Sequence, residues 1–143
     1  MTEINAFDCH RIAGGSSTGE ALISKDDICF YMVDPGSGVV IEKGHDLEGR
    51  SVAGRVLIFP SGKGSSVVQT DGLYQLQLKG NAPNALIIRH ADTVLVASSI
   101  LMGIPVVNRL EESFYGIVRN GMSVSVDADQ QRVAVVTRPG SRV

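Results

Sequence analysis

The strongest constraint on the fold of this chain is an apolar run that ends in a glycine-rich turn. Residues 55–60 form a continuous apolar segment typical of strands buried on both faces, and Gly62-Lys63-Gly64-Ser65-Ser66 follows it directly. If a helix begins after this turn, the serine hydroxyls lie where backbone N–H groups and the helix dipole converge. We therefore expect residues 62–66 to bind an anion or to assist a base.

A second buried strand is predicted at Ala85–Ile88. Two parallel strands need a crossover, and residues 66–79 carry helix boundary signals. Ser66 and Gln69 have the spacing of a capping box, and Lys79 falls in the last turn. The interior is less regular, because its apolar residues do not follow a single helical face. We expect a strand, a crossover helix and a parallel strand.

The remaining segments predict an antiparallel flank. Residues 20–24 and 28–33 read as short strands, and residues 122–136 read as a hairpin. Residues 93–102 predict a second helix, followed by a turn and short strand over 103–107. The predicted fold class is α/β: one layered domain spanning residues 1–143, with a short parallel sheet portion and an antiparallel, barrel-like flank. A ligand is expected at the carboxyl end of the parallel strands, where Ser65 falls.

Composition excludes several classes of protein. The 143 residues are 43% hydrophobic and 20% charged with a formal net charge of −2, so neither a nucleic-acid footprint nor an acidic tail is present. No apolar stretch reaches the roughly 20 residues that a membrane helix needs, and the start lacks a signal peptide, so we expect a cytoplasmic protein without membrane contact. Residues 138–143 read as a frayed tail.

Cysteine and histidine spacing does not indicate a metal site. Cys9 and Cys29 are twenty positions apart, without a C-x-x-C motif, and read as reduced thiols. The alternative is that one of them approaches a cluster carried by another protein. The glycine turn is neither a phosphate-binding P-loop nor a G-x-S-x-G elbow. Its simplest role is a helix cap by Ser65 or Ser66.

An ordered series of segments points to a more specific function. Residues 45–49 (His-Asp-Leu-Glu-Gly), 51–66, 81–88 and 103–107 together resemble the small subunit of the aconitase X family, and the similarity extends over about residues 19–126. The resemblance implies a swivelling β/β/α domain and a hydro-lyase. It also implies a large aconitase X-type subunit as partner, in a heterodimer or larger assembly. The iron–sulfur cluster is then expected in that subunit, not on this chain, which alone should be inactive.

The resemblance assigns roles to the glycine turn. Ser65 corresponds to the family's proton acceptor, and substrate binding is expected from the rest of the turn: Gly62, Lys63, Gly64 and Ser66. A serine base needs preorganised donors in a water-poor site, which the turn, the helix N-terminus and the Lys63 cation could supply. Where aconitases carry an arginine and a glutamate after the serines, this chain has two valines, so the substrate carboxylate is expected to bind the partner.

Four other residues are weaker ligand candidates. Arg89 and His90 follow Ala85–Ile88 at the edge where Ser65 is expected. Asp34 ends a predicted strand near the expected cleft, although turn formation is its simpler role. His45 could accept a phosphate, as in swivelling phosphohistidine domains, but the Thr and paired glycines that those domains need are missing. A structural hydrogen bond is therefore the simpler interpretation of His45.

Two substrates are associated with the family, both small hydroxy acids. They are cis-3-hydroxy-L-proline and (R)-5-phosphomevalonate, the latter in an archaeal-type mevalonate pathway. The low charge content is unlike that of hyperthermophile proteins and favours the hydroxyproline reaction. The phosphomevalonate reaction is the alternative. A non-catalytic binding or assembly module, in which Ser65 is only a cap, is the third hypothesis.

Overall fold

The computed structural model describes residues 3–137, whose strands form one mixed eight-stranded sheet. The predicted tail from residue 138 lies outside the described residues. None of the helices between residues 3 and 137 combines the length and apolar character that spanning a bilayer requires. In chain order the elements are β1 Glu3–Asp8, β2 His10–Ala13, β3 Ser16–Ile23, a 3-10 helix Phe30–Met32, β4 Val56–Phe59, α1 Ser66–Leu78, β5 Ala85–Ile88, α2 Thr93–Met102, β6 Val106–Asn108, α3 Glu112–Ile117, β7 Ser123–Asp127 and β8 Arg132–Thr137.

The sheet curls because its two outer strands are consecutive in the chain. Its order is β1-β8-β7-β3-β4-β5-β6-β2, and only Cys9 separates β1 from β2. Strand β3 belongs to both halves of the sheet. Its first part, Ser16 to Glu20, pairs antiparallel with β7, whereas Ala21 to Ile23 pair parallel with β4. The parallel portion β3-β4-β5-β6 and the antiparallel flank are therefore one curved structure, as the sequence predicts.

Two hydrophobic clusters lie on opposite faces of the parallel strands. In β4, Leu57 and Phe59 pack in the cluster that includes α1 and α2 residues, whereas Val56 and Ile58 pack in the cluster enclosed by the curved sheet. Phe114 of α3 belongs to this second cluster, where it contacts Phe7 edge to face with ring centroids 5.4 Å apart. Burial on both faces explains why all four residues of β4, Val56–Phe59, are apolar.

The structure confirms the parallel strands, both long helices and the terminal hairpin. The strand prediction for residues 28–33 is wrong, because this segment forms the 3-10 helix Phe30–Met32 flanked by isolated bridges at Ile28 and Val33. Its apolar residues pack against α1 instead of pairing along a strand. The sequence signals did not predict β1, β2 or α3.

Helix α1 and the 3-10 helix approach each other at Gly72. A Cβ at this position would lie 2.4 Å from the carbonyl carbon of Phe30 and 2.4 Å from the amide nitrogen of Tyr31, both backbone atoms that cannot move aside independently. The fully buried glycine thus permits the close packing of these two elements.

We predict that Gly72→Ala destabilises the fold by at least the roughly 1–3 kcal/mol typical of overpacking. Gly116→Ala is the matched control, because a Cβ at this helical glycine has no neighbour within 4 Å. Since alanine favours helix over glycine, the control should leave stability unchanged or increase it slightly. Urea denaturation of both variants measures the difference, and equal midpoints would contradict this account of Gly72.

Candidate active site

The loop after β4 is fixed by two neighbouring segments. Ile28 donates its amide to the Ser61 carbonyl at 3.1 Å and accepts from the Lys63 amide at 3.2 Å. On the other side, the Pro60 carbonyl accepts from the amides of Arg89 and His90 at 3.0 and 2.9 Å. The loops that follow β4 and β5 therefore form one hydrogen-bonded unit at the carboxyl edge of the parallel strands.

Ser65 is the N-cap of α1. Its backbone is extended (φ −75°, ψ 165°), and its Oγ accepts from the Val68 amide at 3.5 Å. The capping box predicted for Ser66 and Gln69 is wrong, because Ser66 is already the first helical residue and the Gln69 side chain points into the core. An exposed hydroxyl at a helix N-terminus is the arrangement predicted for Ser65.

Gln69 connects the helix to the segment that supports the loop. Its side chain is fully buried; Oε1 accepts from the Phe30 amide at 2.6 Å, and Nε2 donates to the Ile28 carbonyl at 3.1 Å. The Gln69 side chain thus gives the Phe30 amide an acceptor and gives the Ile28 carbonyl a second donor beside the Lys63 amide. The residue that looked like a capping partner in sequence is a buried clamp.

The two glycines of the loop meet different requirements. Gly64 has φ +109°, a conformation that L side chains rarely adopt, and a Cβ there would lie 3.0 Å from Cys29 Sγ. A Cβ at Gly62 would lie 2.8 Å from the Gln69 amide nitrogen and 2.9 Å from Leu95 Cβ. The loop therefore packs directly on Cys29 and on the helices, without room for larger residues.

The Lys63 ammonium is paired with a carboxylate. Its Nζ lies 2.5 Å from Glu42 Oε2, and both side chains are partly exposed. An alkoxide at Ser65 or an anionic substrate would compete with Glu42 for this cation. The sequence did not indicate this partner, because 21 positions separate the two residues.

Asp34 and His45 take structural roles. Asp34 accepts from Ser37 Oγ at 2.6 Å within a turn. The adjacent Pro35 carbonyl binds Asn81, just beyond the far end of α1, so this 13-residue helix, about 20 Å long, separates Asp34 from Ser65. The expectation that Asp34 lies near the cleft is therefore wrong.

The imidazole of His45 is buried and uses both nitrogens within the fold. Nδ1 accepts from the Leu47 amide at 2.9 Å, and Nε2 lies 2.8 Å from the Asp27 carbonyl, which requires the Nε2–H tautomer. No ring nitrogen is left to accept a phosphoryl group. The geometry favours the structural interpretation of His45 over phosphotransfer.

Two cavities open at the carboxyl edge of the strands. The larger, about 470 Å³, lies between the ends of β3 and β4, and its wall includes Pro60, Arg89 and Tyr115. The smaller, about 190 Å³, is lined by Arg89, His90, Arg109, Leu110 and Tyr115. Arg89 and His90 thus lie at the predicted edge, whereas Ser65 lines neither cavity. Sequence reasoning missed Arg109 and Tyr115, since no local pattern distinguishes them.

The described residues do not fit an iron–sulfur cluster. Between residues 3 and 137, no group of three or more His, Cys, Asp or Glu side chains is arranged to hold a metal ion. Burial and the neighbouring Asp8 raise the pKa of Cys9 to about 11, so it remains a thiol at neutral pH and lacks the thiolate that binds metals.

Comparisons with known proteins identify close relatives. Residues 6–135 match the family model described as "Aconitase X swivel domain". The phosphomevalonate dehydratase small subunit of Methanocella arvoryzae is 50% identical over 119 residues, 82% of this chain and 89% of that protein. Its counterpart from Methanothrix thermoacetophila is 43% identical over 93% of this chain and 95% of that protein. The crystal structure of Thermococcus kodakaraensis aconitase X (holo-form) superposes with a TM-score of 0.81 at 35% identity, covering 92% of this chain and 98% of that one.

We predict that Gln69→Leu destabilises the fold by roughly 1–3 kcal/mol, because it leaves the buried Phe30 amide unpaired, whereas the Ile28 carbonyl keeps the Lys63 amide as a donor. Gln75→Leu is the control, since Gln75 makes only a weak, exposed hydrogen bond to Asp71. Thermal denaturation compares the two variants. Hydrogen exchange at the Phe30 amide should be faster than in the wild type only for Gln69→Leu. Unchanged exchange there would refute the clamp.

Proposed function

We infer that this chain, which belongs to the aconitase X swivel domain family, is the small subunit of a phosphomevalonate dehydratase. The observation that carries this proposal is the 50% identity to the Methanocella arvoryzae small subunit of that name, over 89% of its length. This supports the phosphomevalonate alternative better than the cis-3-hydroxy-L-proline reaction that the composition favoured. Charge content reflects growth temperature and carries no information on the substrate.

We propose that Ser65 is the proton acceptor of this reaction. Its oxygen, as an alkoxide, would take a proton from the carbon next to the substrate carboxylate, and a carbon–carbon double bond would form as the hydroxyl of the neighbouring carbon departs as hydroxide. Return of the serine proton to this hydroxide would complete the loss of one water molecule and restore the alkoxide. The Val68 amide, which donates to Ser65 Oγ, and the α1 dipole both favour a negatively charged oxygen. Gly62, Lys63, Gly64 and Ser66 would shape the substrate's surroundings, and the Lys63–Glu42 pair would exchange when the substrate anion arrives.

The proposal assigns the remaining machinery to a large aconitase X-type subunit. Ser65 is exposed in this chain, and a serine base requires a site from which water is excluded. The large subunit would cover this edge and would carry the iron–sulfur cluster, which supplies Lewis-acid chemistry when bound. It would also bind the substrate carboxylate, since Val67 and Val68 follow the two serines.

The substrate assignment predicts turnover of (R)-5-phosphomevalonate, and not of cis-3-hydroxy-L-proline, by a complex of this chain with its large subunit. The two chains are co-expressed, purified anaerobically and assayed with both compounds, with the small subunit alone as control. The chain alone should be inactive. Dehydration of hydroxyproline but not of phosphomevalonate would overturn the assignment.

Substitutions at Ser65 separate a base from a helix cap. Since general-base catalysis contributes about 10²- to 10⁴-fold, Ser65→Ala should lower kcat by a factor in this range without preventing assembly. Ser65→Asn retains a capping oxygen and should restore the stability lost in Ser65→Ala, about 1 kcal/mol, but not the activity. Ser66→Ala is the matched control and should retain much more turnover than Ser65→Ala. If Ser65→Asn is as active as the wild type, Ser65 is only a cap.

A further inference from the structure

The smaller cavity has an unusual concentration of positive charge for a chain with a formal net charge of −2. Three of its five lining residues, Arg89, His90 and Arg109, carry basic side chains, and none of the five is acidic. Its volume of about 190 Å³ is below the roughly 300–1,000 Å³ typical of pockets that enclose a whole small molecule. The cavity therefore suits one small anionic group of a larger ligand.

Arg89 is held in place on one wall. Its guanidinium carbon lies 3.7 Å from the centroid of the Tyr115 ring, and its Nη1 donates to Glu112 Oε1 at 2.9 Å. The Glu112 side chain is 81% exposed, so an incoming anion can replace it at little cost. Arg89 combines an orientation fixed by stacking with hydrogen-bond donors that an anion can engage.

The backbone conformation just after β6 sets the position of Arg109. Its φ of +58° is in the left-handed region, which a non-glycine residue adopts only where its surroundings impose it. Within residues 3–137 its guanidinium has neither an ion-pair nor a hydrogen-bond partner. Its donors are therefore available to a ligand bound in the smaller cavity, which Arg109 lines.

Tyr115 adds a donor between the two cavities. Burial raises the pKa of its phenol, so the hydroxyl stays protonated and can donate a hydrogen bond. The cavity is also tied to the proposed catalytic loop, since the Pro60 carbonyl binds the amides of Arg89 and His90 and Ser61 Oγ donates to the His90 carbonyl at 2.9 Å. These hydrogen bonds fix the position of the cavity, and of any ligand in it, relative to the loop that carries Ser65.

We propose that the cavity lined by Arg89, His90 and Arg109 binds the phosphate group of the substrate and so determines its specificity. This inference rests on the proposed function. Two guanidinium groups and an imidazole match the two negative charges and three oxygens of a phosphate monoester better than the single charge of a carboxylate. The substrate's reacting carbons would then extend from this cavity toward the Ser65 loop.

The test is the Arg109→Gln variant in the complex with the large subunit. Loss of a charged hydrogen bond predicts a roughly 10- to 100-fold increase in KM for (R)-5-phosphomevalonate, with kcat within a few-fold of wild type. Inhibition by inorganic phosphate should weaken by a similar factor. Inhibition by mevalonate, which lacks the phosphate, should be unchanged. Arg55→Gln is the control, because Arg55 precedes β4 at the opposite end of the parallel strands and pairs with Glu20.

Each outcome decides between defined alternatives. If the wild-type complex does not dehydrate phosphomevalonate, the proposed function fails, and inorganic phosphate binding to the complex still tests the cavity on its own. If the wild type is active and Arg109→Gln behaves like Arg55→Gln, the phosphate site is refuted. Equal weakening of mevalonate and phosphate binding would place the carboxylate in this cavity. Failure of Arg109→Gln to assemble, measured by size-exclusion chromatography, would make Arg109 an interface residue.

Discussion

The position of the candidate active site depends on the two hydrogen bonds of Gln69. They attach the Ile28 carbonyl and the Phe30 amide to α1, and the Ile28 backbone in turn binds Ser61 and Lys63. The helix that presents Ser65 at its N-terminus therefore also fixes, through its own side chain, the segment on which the preceding loop rests. Because the clamp is fully buried, the loop geometry is linked to the stability of the whole domain.

The curvature of the sheet brings the remaining polar groups to the same edge. Strands β4, β5 and β6 are parallel, so the residues that follow them, Pro60, Arg89 and Arg109, emerge together. Helix α3, whose Phe114 packs inside the curved sheet, places Tyr115 beneath the Arg89 guanidinium. Hydrophobic packing in the enclosed core thus positions an aromatic ring against a cation at the surface, without any local sequence signal for it.

Local signals in the sequence were sufficient where local interactions decide the structure. Thr93–Met102 has a capping aspartate before it and a left-handed glycine after it, and the predicted helix has the same bounds. The interior of α1 looked irregular because its buried face consists of Gln69, Gly72, Leu73 and Leu76, a glutamine and a glycine among leucines. Residues 28–33 were predicted as a strand because the contacts that make them a 3-10 helix come from α1, about forty positions later. Ser65 could be predicted as a hydroxyl at a helix N-terminus because the capping signal is local. The cavity at Arg109 could not be predicted, because residues from separate segments of the chain form it.

The surface around Ser65 indicates what a catalytic role requires of the partner. On α1 the apolar side chains Val67 and Leu78 are 75% and 60% exposed, and Tyr74 is also exposed, so the outer face of the helix lacks the polar character of a solvated surface. An aconitase X-type large subunit that covered this face would bury apolar area and remove water from Ser65 in the same step. Assembly would then strengthen the effect of the helix dipole and the Val68 amide on the serine oxygen, because both act in a medium of lower dielectric constant. In the proposed reaction this chain would contribute the base and an anion site, and its partner would exclude water from them, which is why we expect the chain to be inactive alone.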